Sequence, residues 1–143
     1  KSKSNCEWMV CHLVLYLCLE KDFMRIFKSK WFSRWANKYG LKDEALKVAI
    51  EEINAGLVDA DLGGHVFKKR IAQHQGKRGG FRTIVVFQTG DKVFFIYGFA
   101  KRVRSNVNAN ELKALKHLAK ELLSYNDVQL RQAIEAGGIE EVK

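Results

Sequence analysis

The sequence predicts an α+β fold in one small domain. Three strand patterns, at 65–72, 81–89 and 92–99, sit together in mid-chain, and amphipathic helical patterns flank them on both sides. The length, 143 residues, is that of a single domain. Hydrophobic residues at 47% and charged residues at 29% are the composition of a globular chain, which excludes collagen and a long disordered tail. A second domain for a nucleotide cofactor has no room at this length.

Residues 1–23 do not fit the rest. Cys6, Cys11 and Cys18 all fall here, so the remainder has neither a disulfide framework nor a cysteine-based zinc site. The apolar run from Trp8 to Leu19 is too short to span a bilayer. Glu20, Lys21 and Asp22 follow it where a signal peptide would carry small residues for cleavage. The first residue is Lys, and Met24 opens a well-patterned segment. Residues 1–23 are therefore expected to be a non-native leader or translated upstream sequence, with a membrane-associated leader as the rival reading. Residues 24–143 are expected to be the domain.

Arg25 to Lys28 alternates as a short strand does. Ser29 suits the N-cap of a helix that places Phe32, Trp35, Ala36 and Tyr39 on one face, and Gly40 suits its C′ position. Asp43 is the expected cap of a second helix with Leu46, Ala49, Ile50 and Ile53 as its apolar stripe, ended by Gly56. The short connection predicts a helical hairpin. Between the last two strand patterns, Thr89-Gly90-Asp91-Lys92 predicts a tight turn, and residues 73–80, with three glycines, predict a loop. Asn108 or Asn110 should cap a helix with Leu112, Leu115, Leu118, Ala119 and Leu122 on one face. A shorter helix over about 127–136 should end at Gly137-Gly138.

Charge is concentrated. The chain's formal net charge is +9, and residues 62–110 hold ten basic residues against Asp91 alone. The remainder balances. A folded segment with that field attracts a polyanion, most simply nucleic acid. Walker, nucleophile-elbow and HExxH patterns are missing from the sequence, and His65 and His74 lie too far apart for a local metal pair. No cofactor and no metal are expected. What remains is cations at strand spacing. Lys68 and Arg70 project to one face of a strand and Lys69 to the other. Arg82 follows Gly79-Gly80-Phe81, and Lys101 and Arg102 follow Gly98-Phe99-Ala100. Paired strands would converge these on one end of a sheet, where the arginine fork suits phosphate oxygens.

The pattern Gly63-Gly64-x-x-Phe67-Lys68-x-Arg70, then Gly79-Gly80-Phe81-Arg82, then Tyr97-Gly98-Phe99-Ala100-Lys101-Arg102, resembles the RelE/ParE toxin superfamily. The likeness is closest to the RelE-like and HigB-like toxins of type II toxin–antitoxin systems, and runs from Met24 to about Leu123. Residues 106–112 also look like that branch's lead into its last helix. The resemblance implies an antiparallel sheet packed against the N-terminal helical hairpin. It also implies a cytoplasmic toxin that cleaves messenger RNA, typically on the ribosome, and is held inactive by a cognate antitoxin. Lys68, Arg70, Arg82, Lys101 and Arg102 match the family's catalytic cations. Lys69, Lys77, Arg78 and Arg104 are expected as further RNA contacts. Where some members place an aromatic residue after the last strand, this chain has Asn108; Tyr97 and Phe99 either stack on RNA or belong to the core. Two other readings share the fold: a ParE-like poison of DNA gyrase, and a non-catalytic nucleic-acid-binding module acting with an antitoxin.

The residue types suit the implied chemistry. When a 2′-OH attacks its own 3′-phosphate, no metal and no Ser or Cys nucleophile is required. The protein must align the RNA, stabilise charge on the phosphorane and move two protons. Proton transfer falls to a lysine crowded by other cations, and Lys68 is the candidate. Arg82 is expected near a strand start with its guanidinium reaching the phosphate, so that its loss should cost only about 1 kcal/mol of stability. Of Trp31, Phe32, Trp35 and Tyr39, most should be core, with one or two left exposed for the antitoxin.

Overall fold

A computed structural model describes residues 24–72, 80–88, 92–100, 104 and 106–142. The expectations for residues 1–23, for the 73–80 loop up to Gly79, for the turn at 89–91 and for Lys77, Arg78, Lys101 and Arg102 lie outside the described residues. Six strands and four helices follow in order: β1 (Arg25–Ser29), α1 (Lys30–Lys38), α2 (Asp43–Asn54), β2 (Ala60–Gly63), β3 (Val66–Ile71), β4 (Phe81–Phe87), β5 (Lys92–Ala100), α3 (Ala109–Ser124), α4 (Asp127–Glu135) and β6 (Ile139–Val142). The strands form one sheet in the order β2-β3-β4-β5-β1-β6. All pairings are antiparallel except β1 with β5, which run parallel. That parallel pair departs from the all-antiparallel expectation.

Both faces of the sheet are covered. Phe32, Ala36, Leu46, Ala49, Ile50 and Ile53 of α1 and α2 pack on one face against Ile71, Val85, Phe87, Val93 and Phe95. Ala119, Leu122 and Leu130 of α3 and α4 pack on the other against Val66, Ile84, Val86, Phe94 and Ile96. Two-sided burial is why β4 and β5 read as unbroken apolar runs. One irregularity matters for function. Between β4 and β5 the register shifts so that Ile84 opposes Tyr97 while Val85 opposes Phe95. The extra residue, Ile96, lets Ile96, Tyr97 and Phe99 all contribute to the α3 side of the sheet.

The helix ends follow local chemistry. Ser29 Oγ accepts from the Phe32 N–H at 3.0 Å and donates to the Ile96 carbonyl at 2.9 Å, capping α1 and fixing it to β5. Asn108, rather than Asn110, caps α3 in a reciprocal capping box with Glu111, and Asn126 does the same with Gln129 for α4. Asp43 does not cap α2; it is the first helical residue, and its carboxylate binds Lys28 Nζ at 3.0 Å instead. Burial of Lys28 works against its charge, but Asp43 and Glu140 outweigh it and hold the ammonium above its ordinary range. The strands β2 and β6 were not legible as patterns. Each is four residues long, and both contain acids that strands disfavour. No described helix is long and apolar enough to cross a membrane.

Candidate nucleic-acid interface

Strand pairing builds the site. Arg70 on β3 lies directly opposite Arg82 on β4, and Arg82 directly opposite Phe99 on β5. The next row on the same face is Lys68, Ile84 and Tyr97. Directly opposed residues have Cβ atoms about 5 Å apart, so two arginines and a lysine share one end of the α3 face. Arg70 is exposed and has no ion-pair partner among the described residues. Lys68 Nζ donates to Asn106 Oδ1 at 2.7 Å.

A fourth cation closes the cluster over Phe99. The Arg104 guanidinium lies 5.5 Å from the centre of the Phe99 ring. Its Nε donates to the Asn106 carbonyl at 2.9 Å, and its two Nη groups grip the Glu111 carboxylate. Glu111 also accepts from the Asn108 backbone N–H at 2.9 Å. The Arg104 hydrogen bonds, then the Asn108 N–H, hold the Glu111 carboxyl down to about 2. One carboxylate thus caps α3 and orients Arg104. Asn106 likewise links Lys68 and Arg104. Neither residue was picked out from the sequence, although both lie in the 106–112 segment that resembled the family's lead into its last helix.

Two sequence expectations change. Lys69 was expected to touch RNA. It points to the α2 face, is 6% exposed, and its Nζ lies 3.0 Å from Glu52 on α2. Strand alternation sends it away from Lys68 and Arg70, and its charge is consumed holding α2 to the sheet. Arg82 was expected to pack its stem, reach the phosphate with its guanidinium and matter to stability no more than a surface residue does. Its side chain is only 13% exposed, its Nε lies 3.6 Å from Asp59, and its Nη1 is buried with no hydrogen-bond partner among the described residues. Asp59 escaped notice because it precedes β2, a strand the sequence does not announce.

The aromatic residues divide. Phe99 is buried beneath Arg104, whereas Tyr97 is half-exposed and lines an apolar pocket of about 220 Å³ with Val107, Leu115 and Leu118. The glycines of the motifs have structural work. Gly63 and Gly64, at φ +87° and +61°, make the β2–β3 turn that aims β3. At Gly98 a Cβ would meet the Trp35 ring at 2.5 Å, so glycine lets Trp35 lie on β5.

The arrangement gathers cations, with no metal-type carboxylate cluster among the described residues, onto a half-open end of a sheet. A search of curated proteins finds no match. The family model for the RelE toxin of the RelE/RelB toxin–antitoxin system matches residues 24–142, which covers every strand and helix described above. The chain therefore belongs to the RelE toxin family, the toxin half of a toxin–antitoxin system.

Proposed function

We propose that this toxin is an endoribonuclease that cuts messenger RNA on the ribosome, halts translation, and is held inactive by its cognate antitoxin. The observation that supports the reading best is the Arg70–Arg82 row beside Lys68, on the face that Arg104 overhangs. In the proposed reaction the RNA 2′-oxygen bonds to the adjacent phosphorus and the 5′-oxygen leaves. One proton departs the 2′-OH and one joins the leaving oxygen, giving a 2′,3′-cyclic phosphate and a free 5′-OH. Arg70, exposed and without a partner among the described residues, stabilises charge on the phosphorane. Arg82 supports it from below, with its Nη1 as an unused donor. Lys68 handles a proton. Arg104 and the sequence neighbours Lys101 and Arg102 hold the strand, with Lys77 and Arg78 as outer contacts.

The test mixes purified toxin with ribosomes translating a defined message and maps new RNA ends. Discrete cuts within the reading frame are expected, with cyclic phosphate upstream and 5′-hydroxyl downstream. A 2′-O-methyl group at the cut position should abolish them. Cutting that survives 2′-O-methylation contradicts the mechanism. In cells, altered DNA supercoiling without RNA cuts would place the chain among gyrase poisons.

A further inference from the structure

We propose that helix α1 extends the RNA site. Trp31 stacks on a nucleobase of the single strand whose phosphate lies at the Arg70–Arg82 row, and Lys30, Arg34 and Lys38 follow that strand's backbone. This rests on the RNA reading above and adds to it a base-binding position on a different element.

Trp31 is 46% exposed, unusual for so large an apolar side chain. It is nevertheless held in place. Its ring stacks on Trp35 with centroids 6.4 Å apart and 14° between planes, and lies 4.5 Å from Tyr97. Trp35 is itself seated on Gly98 of β5. From Tyr97 the contacts continue to Phe99 at 6.1 Å, and Phe99 lies under Arg104. A chain of rings therefore runs from the exposed Trp31 to the cationic cluster. β1 ends at Ser29 opposite the middle of β5, which leaves this side of Tyr97 open to α1.

Charge identifies the occupant. The segment Lys30–Lys38 contains three cations and no acid, and Lys30, Arg34 and Lys38 are all exposed. They recur every four residues, so they form one stripe beside Trp31 and Trp35. Like charges at this spacing destabilise a helix, so the stripe is not explained by helix stability. Other exposed apolar residues, such as Val48, Leu57 and Val128, have no such setting. Cations beside a rigid, exposed ring are the combination that binds single-stranded nucleic acid: every base has a face to stack, and the backbone supplies the charge. An apolar protein helix would find a cationic border instead of a wider apolar one.

The probe is a twelve-nucleotide RNA of mixed sequence, fully 2′-O-methylated so that it cannot be cut, carrying a fluorescent label for anisotropy. Trp31→Ala should weaken its binding roughly 10- to 100-fold, and Trp31→Phe should restore most of the loss. Val48→Ala, a control on α2, should bind as the original chain does. On an abasic strand of equal length and charge, Trp31→Ala should bind as well as the original chain, because there is no base to stack. Unchanged RNA binding by Trp31→Ala overturns the proposal. So does a loss that persists on the abasic strand, or a loss confined to antitoxin binding. If the original chain binds the probe through Trp31 yet leaves translated RNA uncut, the nuclease reading fails while this inference stands. If the chain does not bind the probe, this inference fails, and the nuclease reading is decided separately by the cutting assay on translating ribosomes.

Discussion

The two faces of β3 carry the same kind of residue to opposite ends. Lys69 is buried against α2 and paired with Glu52. Lys68 and Arg70, its immediate neighbours, lie on the other face, one bonded to Asn106 and the other exposed and unpaired among the described residues. Three consecutive cations look like one basic patch in the sequence. In the fold they are one structural tie and two candidate site residues, separated by the period of a strand. Net charge counted along a segment overstates the charge a partner meets, because a cation spent on a protein carboxylate attracts little else.

Arg82 blurs that division, and its removal should have the largest effect. It sits on the site face yet is paired with Asp59. Arg82→Ala should slow RNA cutting by about 10²–10³, as losing one preorganised stabiliser of transition-state charge does. It should also cost about 1–3 kcal/mol of stability, because the mostly buried Arg82 side chain gives up its packing along with its ion pair to Asp59. Urea unfolding and a single-turnover cutting assay separate the two. Full stability with full loss of activity would return Arg82 to the role first expected for it. Arg82→Lys should recover only part of the rate, since a point charge cannot replace the two-pronged fork.

The structural face should respond in stability alone. Glu52→Gln leaves the buried Lys69 ammonium without its counter-charge and should cost about 1–3 kcal/mol. Lys69→Met should cost less, because the half-exposed Glu52 can turn to water. The urea midpoints of the two variants give the order. Cutting per folded molecule should be unchanged in both; a loss would mean that the α2 face takes part in the reaction.

The smallest expected effect is a pH dependence. Glu111 is held at about 2 in the folded chain against an ordinary 4.5, chiefly by Arg104. A depressed folded value means that the stabilisation is fully present above about 4.5 and is lost as pH falls from there toward about 2. Glu111→Gln should lower the urea midpoint at pH 6 and bring it closer to that of the original chain at pH 3. An equal gap at both values would show that the carboxylate's charge is not what secures Arg104.

Much of this was legible in the sequence. The strands β1, β3, β4 and β5, all four helices and the convergence of Arg70 and Arg82 on one end of the sheet follow from alternation, apolar stripes and glycine positions. The rest was hidden for physical reasons. β2 and β6 are too short and acidic to read as strands, and with β2 went the partner of Arg82. The Ile96 bulge, which puts Tyr97 on the α3 side of the sheet beside Ile96 and Phe99, is one residue of register that no periodicity displays. The cations of α1 vanished in a sum that balanced them against acids elsewhere in the chain, although Lys30–Lys38 itself holds no acid; the folded helix shows them exposed on one stripe beside Trp31.

The most direct measurement sets Arg70→Ala against Lys69→Ala in the same single-turnover assay on translating ribosomes, with melting temperatures recorded for both. The account predicts that Arg70→Ala melts as the original chain does and cuts about 10²–10³ more slowly. It predicts that Lys69→Ala melts lower and cuts at the original rate. The reverse result, a stable Lys69→Ala that cuts slowly beside an Arg70→Ala that cuts normally, would contradict it.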